Sequence, residues 1–138
     1  MKNKKIKKIV SMLSLIVALS IPTVAFADTL YTGDFSYGAM AAHGALEVSW
    51  SATSYDNAKA WTAMNQLENY NYVATAYVEA QMNSSGTDVR GARFDYGSTY
   101  AEVNCNDYSG VWRFNSTHSI ANKYNVYVAY VSQHLSDW

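Results

Sequence analysis

In two segments of this chain, residues 46–53 and 72–82, apolar and polar side chains alternate residue by residue. Successive side chains of a β-strand point to opposite faces, so this alternation favours strands that turn one face to a core and the other to water. In the first segment Leu46, Val48 and Trp50 share the apolar face. The pattern predicts half-buried strands of an antiparallel sheet.

Clusters of turn-forming residues separate such segments at intervals of roughly 13 to 15 residues. These clusters are residues 55–57, 68–71, 83–86, 106–110 and 121–123. The clearest hairpin pairs residues 72–82 with residues 89–96 across a short Ser-Ser-Gly loop. The sequence therefore predicts an all-β domain, an antiparallel β-sandwich or flattened barrel of about six to eight strands.

Three segments leave the strand pattern less defined. Residues 58–67 fit a strand, but Trp61 and Met64 also fall on one face of a helix, so strand and helix both remain open there. Residues 28–42 fit either an edge strand or a loose arm. Residues 125–135 are apolar on both faces, which predicts a central strand.

The amino-terminal residues have the pattern of a secretory signal peptide. Lysines cluster before residue 9, an apolar run covers residues 9–18, and Ala25-Phe26-Ala27 forms a small-x-small cleavage site. The apolar run is short for a bilayer, and no later segment predicts a membrane span. We therefore predict a bacterial protein that is released into the medium, with a signal peptide at residues 1–27 and a single domain at residues 28–138.

Charge and cysteine content limit the partners of this predicted mature chain. Five basic residues stand against eleven acidic ones after residue 27, a formal net charge of −6. An acidic chain repels phosphate backbones and anionic lipid, which excludes nucleic acid and membrane surfaces as partners. Cys105 is the only cysteine, so no internal disulfide can form. Exposed edge strands and a lone thiol leave self-association open.

The polar residues do not match a common metal site. The three histidines are isolated in the sequence, without the spacing of a zinc site. Asn104, Asn106 and Asp107 group oxygen atoms that suit calcium, but they lack the calcium-loop pattern, and Asx side chains form turns without a metal. We predict no metal ion and no cofactor.

Two groupings suggest catalysis without completing a catalytic motif. Cys105 and His118 are a nucleophile and a base only if the fold brings them together with an orienting group. Glu79, Asp95 and Glu102 lie on neighbouring predicted strands and offer carboxylate pairs for glycoside hydrolysis, although the alternation places them on a solvated face. The sequence therefore predicts a protein that is not an enzyme, with a secreted hydrolase as a distant alternative.

Aromatic residues point instead to binding. Nineteen of them lie after residue 27, more than one core of this size can hide, and tyrosine and tryptophan anchor ligands well because each has a polar edge. Tyr77 and Glu79 share one predicted strand face, while Trp61 and Arg93 lie on neighbouring segments. These four residues are the predicted ligand-binding patch, and the predicted ligand is an extracellular glycan, a cell wall or a protein.

A second functional class follows from the layout of the whole chain. A signal peptide precedes a proline-free β domain that is rich in tyrosine, serine and asparagine and ends in an aromatic residue. In size and layout the chain resembles the lactococcin 972 type of bacteriocin. The resemblance covers layout and no motif, so no site residue is transferred, and it implies a secreted antibacterial or toxin effector as the alternative function.

Overall fold

The computed structural model describes residues 29–65, 71–124 and 126–136, and all regular structure in these ranges is β-strand. The predicted signal peptide lies outside the described residues, and the division into signal peptide and domain stays a prediction. Eight strands follow one another along the chain. They are β1 (Thr29–Tyr37), β2 (Met40–Ser49), β3 (Asp56–Met64), β4 (Tyr72–Gln81), β5 (Val89–Gly97), β6 (Tyr100–Tyr108), β7 (Arg113–Asn122) and β8 (Tyr127–Ser136).

The strands form two antiparallel sheets that pack face to face as a β-sandwich. The first sheet has the order β1-β2-β3-β6, and the second has the order β5-β4-β7-β8. The chain crosses between sheets after β3, after β5 and after β6. The edge strands approach each other across the sandwich, β1 beside β8 and β5 beside β6. The prediction of an all-β antiparallel fold is confirmed.

The alternation that predicted the strands also gives the core. Leu46 and Val48 of β2 and Val78 of β4 are almost fully buried between the sheets. Alanines occupy the other inward positions of β4, which lets larger side chains from the facing strands fill the space. Trp50 packs against Phe114 with their ring centroids 5.4 Å apart. The predicted hairpin around the Ser-Ser-Gly loop is confirmed as the β4–β5 pair.

The structure decides the three open segments. Residues 56–64 are strand β3, so the strand interpretation is confirmed there, while residues 66 and 67 lie outside the described residues. Residues 29–37 form an edge strand. The prediction of a central last strand is wrong, because β8 pairs only with β7 among the described strands and lies at the edge of its sheet. The strand packs beside β1 on one side, and Tyr127 and Tyr130 are exposed although their rings are largely apolar.

A histidine is buried at the centre of this sandwich. His118 of β7 is fully buried, with its Nδ1 3.0 Å from the Thr62 hydroxyl and its Nε2 2.8 Å from the Ser116 hydroxyl. Thr62 donates its own proton to the Thr75 carbonyl, so its oxygen accepts from His118 Nδ1. Burial keeps His118 neutral, so its Nε2 has no proton and accepts from the Ser116 hydroxyl. This network joins the two sheets.

Acid should weaken the fold through His118. Burial lowers the pKa of His118 to about 4 from its ordinary 6.5, so the unfolded chain binds a proton that the native chain resists. Above pH 6.5 this group does not lower the free energy of unfolding, because it is neutral in both states. The free energy of unfolding falls as the pH decreases from 6.5 toward 4. We expect the free energy of unfolding to fall by roughly 2 kcal/mol between pH 7 and pH 5.

Urea denaturation at the two pH values measures this loss. The matched variant is His118→Asn, which retains every other titratable group, including His43 and His134 on the surface. The wild type should lose clearly more stability than the variant across this interval. Equal losses in the two proteins would contradict the assignment of a neutral buried His118.

Candidate functional site

The outer face of the first sheet combines aromatic rings with charged side chains. We call it the Trp61 face and define it as the outward-pointing side chains of β1, β2, β3 and β6. Trp61 points outward because its neighbours Ala60 and Thr62 are fully buried on the inner side. The strand register places Ala45 and Glu102 on either side of Trp61 in the adjacent strands.

Three rings lie close together on this face. The centroid of Trp61 is 5.4 Å from that of His43 on β2 and 6.2 Å from that of Tyr100 on β6. Trp61 and Tyr100 are nearly parallel, at 26°. The Trp61 indole N–H donates a 2.7 Å hydrogen bond to Glu47 Oε1, which fixes the orientation of the ring. The rings therefore form a pre-positioned aromatic row across three strands.

Carboxylates surround this row. Glu47 accepts the Trp61 hydrogen bond and also pairs with Lys59 Nζ at 3.0 Å, and the bond from Trp61 lowers the pKa of Glu47. Tyr100 donates its hydroxyl to Glu102 Oε2 at 2.5 Å. Partial burial, followed by this hydrogen bond, raises the pKa of Tyr100 to about 12, so its hydroxyl keeps its proton at neutral pH. The polar groups hold the rings in place and present oxygen acceptors beside them.

Two depressions lie near this row, one beside His43 at the ends of the strands and one farther along β2, β3 and β6. The first has a volume of about 740 Å³, and its lining includes Asp34, His43, Ala63 and Asn65. At this end His43 Nδ1 lies 2.5 Å from Asp34 Oδ1. The second has a volume of about 220 Å³ and is considered below. An aromatic row beside a concave surface of mixed apolar and polar residues is a geometry suited to binding a ligand.

The structure separates the four predicted binding residues. Trp61 lies on the first sheet, while Tyr77 and Glu79 lie together on the outer face of the second sheet, where the Tyr77 hydroxyl donates to Glu79. Burial, with Glu79 as the next cause, raises the pKa of Tyr77. Arg93 lies on edge strand β5 in register with Val78, whose side chain faces the core, and it bonds to the neighbouring Ala92 carbonyl. These residues do not form one patch, and ligand binding by Tyr77, Glu79 or Arg93 stays a prediction.

The structure does not pair Cys105 with His118, and it separates Glu79 from Glu102. Both ring nitrogens of His118 are occupied by Thr62 and Ser116, so neither is available to Cys105. Glu79 lies on the outer face of the second sheet and Glu102 on the outer face of the first. Asp95 accepts a hydrogen bond from the Glu102 backbone N–H at 3.2 Å, at the edge between the sheets.

Cys105 should be unreactive in the native protein. It is buried on β6, and burial raises the pKa of its thiol to about 11 from an ordinary 9.0. At pH 8 this shift alone reduces the thiolate fraction about 100-fold. We expect labelling by a thiol-specific disulfide reagent to be at least that much slower in buffer than in 6 M guanidinium, which serves as the control. Comparable rates would show that Cys105 is accessible.

Within the described ranges, no group of three or more histidine, cysteine, aspartate or glutamate side chains is placed to hold a metal ion. A membrane-crossing helix is likewise absent from those ranges. Comparison with protein-family models, with curated proteins and with solved structures finds no match to this chain. The function proposed below therefore rests on the site and the sequence alone.

Sequence reasoning identified Trp61 but missed its aromatic neighbours. His43 and Tyr100 join Trp61 only because β2 and β6 flank β3, and a sequence does not state which strands pair. The sequence does indicate that Glu47 faces outward, because it alternates with the apolar residues Leu46 and Val48. The strand register that places Glu47 beside Trp61 is seen only in the structure.

Proposed function

We propose that this protein is a small secreted bacterial recognition protein that binds a cell-surface or extracellular ligand through the Trp61 face. The observation that carries the proposal is the row of His43, Trp61 and Tyr100, held in place by Glu47 and Glu102 on the outer face of the first sheet. The signal-peptide pattern of residues 1–27 supports export.

The aromatic row suits recognition for an energetic reason. A side chain that is already fixed loses little conformational entropy when a ligand binds, so more of the contact energy appears as affinity. Trp61 is fixed by its hydrogen bond to Glu47, and its two flanking rings limit its movement. An indole or phenol ring supplies an apolar surface with a polar edge, which fits the mixed surface of a sugar or a polar protein.

Charge narrows the ligand class. Asp34, Glu47 and Glu102 stand on the Trp61 face, where Lys59 is the only lysine or arginine on the described parts of its four strands. The predicted mature chain has a formal charge of −6. This excess of carboxylate disfavours nucleic acid and other polyanions and favours a neutral glycan or a protein surface.

Binding is the expected first step for a recognition protein and for an antibacterial effector alike. A single experiment separates them: co-sedimentation of the mature protein, residues 28–138, with whole bacterial cells, isolated peptidoglycan and insoluble polysaccharides, with cell viability scored in parallel. Saturable retention without loss of viability supports a recognition protein. Retention with killing supports the effector instead, and release of soluble sugar from the pellet supports a hydrolase. No retention on any of them contradicts the glycan and cell-wall form of the proposal.

A further inference from the structure

We propose that the Trp61 face binds a neutral linear polysaccharide that lies along the strands and occupies two subsites. One subsite is the aromatic row, and the other is the second depression on this face. This inference rests on the proposed function and specifies its ligand class.

Three amide side chains and the ion pair of Glu47 and Lys59 line the second depression. Its volume is about 220 Å³, and its lining includes Ser49, Asn57, Asn104 and Asn106. Asn104 and Asn106 alternate along β6 with the buried Val103 and Cys105, so their side chains point outward. Neither amide side chain forms a hydrogen bond with another described residue, so both are available to a ligand.

Strand geometry sets the distance between the two subsites. Asn57 lies four residues from Trp61 on β3, which corresponds to about 13 Å along an extended strand. Glu102 on β6 is the register partner of Trp61. Asn104 and Asn106 follow Glu102 along β6, and because β3 and β6 are antiparallel, they lie on the same side of Trp61 as Asn57. A ligand that reaches from Trp61 to Asn106 must be longer than a disaccharide, and an extended chain parallel to the strands fits this arrangement.

The chemistry of the two subsites suits a neutral sugar chain. An aromatic ring stacks on the apolar face of a sugar, whereas an amide donates to and accepts from hydroxyl or acetamido groups. Glu47 and Lys59 also line the second depression and neutralise each other at 3.0 Å, so this pair adds no net charge to the path. Asp34 and Glu102 beside the row repel uronic acids and phosphodiesters.

Titration with oligosaccharides of defined length tests the inference. The probes are β-1,4-linked oligomers of N-acetylglucosamine and of glucose, each from two to six units, with calorimetry on the mature protein. The two series separate acetamido from hydroxyl recognition. We expect affinity for at least one series to rise at least tenfold from two units to the longer oligomers and then to level off.

Variants test whether the second depression causes the rise in affinity with oligomer length. Replacing both Asn104 and Asn106 by alanine should remove the gain with length, and the two-unit oligomer should lose less affinity than the longer oligomers. Trp61→Ala should weaken oligomers of every length. Tyr130→Ala, an exposed position on the outer face of the second sheet, is the control and should change nothing.

The results distinguish failure of the inference from failure of the proposed function. Binding that depends on Trp61 but not on length, or that the double asparagine variant leaves intact, overturns the two-subsite inference and retains the recognition surface. If retention on cells depends on Trp61 but neither oligosaccharide series binds, the surface binds another ligand. This result also overturns the two-subsite inference. Binding that Trp61→Ala does not affect contradicts the proposed function itself.

Discussion

Replacing Trp61 by alanine is expected to reduce retention on the bound cell-wall or polysaccharide fraction by at least about thirtyfold, the effect of losing a central aromatic anchor. The indole contributes the largest ring of the row and contacts both His43 and Tyr100. Its loss also leaves Glu47 Oε1 without the indole N–H that it accepts. Co-sedimentation with increasing protein concentration measures the change in apparent affinity.

Two variants control this prediction. Trp61→Phe keeps an aromatic surface but cannot donate to Glu47, so its affinity should lie between those of the wild type and Trp61→Ala. Tyr130→Ala removes an exposed ring from the opposite face and should bind like the wild type, provided that urea denaturation shows each variant to be folded. If Tyr130→Ala or Tyr77→Ala loses retention while Trp61→Ala retains it, the binding surface lies on the second sheet.

The second large effect concerns the packing of the two sheets. Gly44 of β2 faces His118 so closely that a Cβ at this position would lie 2.4 Å from His118 Cγ and 2.6 Å from His118 Cβ. His118 cannot move away without breaking its bonds to Thr62 and Ser116. We expect Gly44→Ala to lower the free energy of unfolding by about 3 kcal/mol, at the upper end for overpacking in a core.

A double-mutant cycle checks the cause of that loss. His118→Ala is destabilising alone, because it leaves a cavity and unpaired hydroxyls, but it also makes room for the new methyl group. In the double variant the two losses should therefore be less than additive, by about 1 kcal/mol or more. If Gly44→Ala fails to accumulate, recovery of folded protein on adding His118→Ala gives the same information. Strict additivity would mean that the contact does not cause the loss.

The strands were predictable from the sequence because their signal is local. In β2 and β4 the side chains alternate between core and solvent, so each residue identifies its own face. The position of β8 at the edge of its sheet was not predictable in this way. A central strand and an edge strand with exposed tyrosines have the same pattern of apolar residues on two faces, and only the pairing distinguishes them.

The candidate site was predictable only in part, for the same reason. Trp61 was selected because its strand places it beside polar residues, and the structure confirms its outward position. Its grouping with Tyr77 assumed that consecutive strands share a face, whereas the chain changes sheets between β3 and β4. His43 and Tyr100 lie far from Trp61 in sequence and reach it through pairing across β2 and β6.

Binding through the Trp61 face is best tested by oxidative footprinting of the bound protein, because this method shows which aromatic side chains the ligand covers and works with an insoluble ligand. Hydroxyl radicals oxidise exposed tryptophan, tyrosine and histidine, and mass spectrometry locates the products in free and retained protein. We expect His43, Trp61 and Tyr100 to be protected, and Tyr96 and Tyr130 to be oxidised as in the free protein. Protection of Tyr96 and Tyr130 with unchanged oxidation of Trp61 and Tyr100 would contradict binding through the Trp61 face.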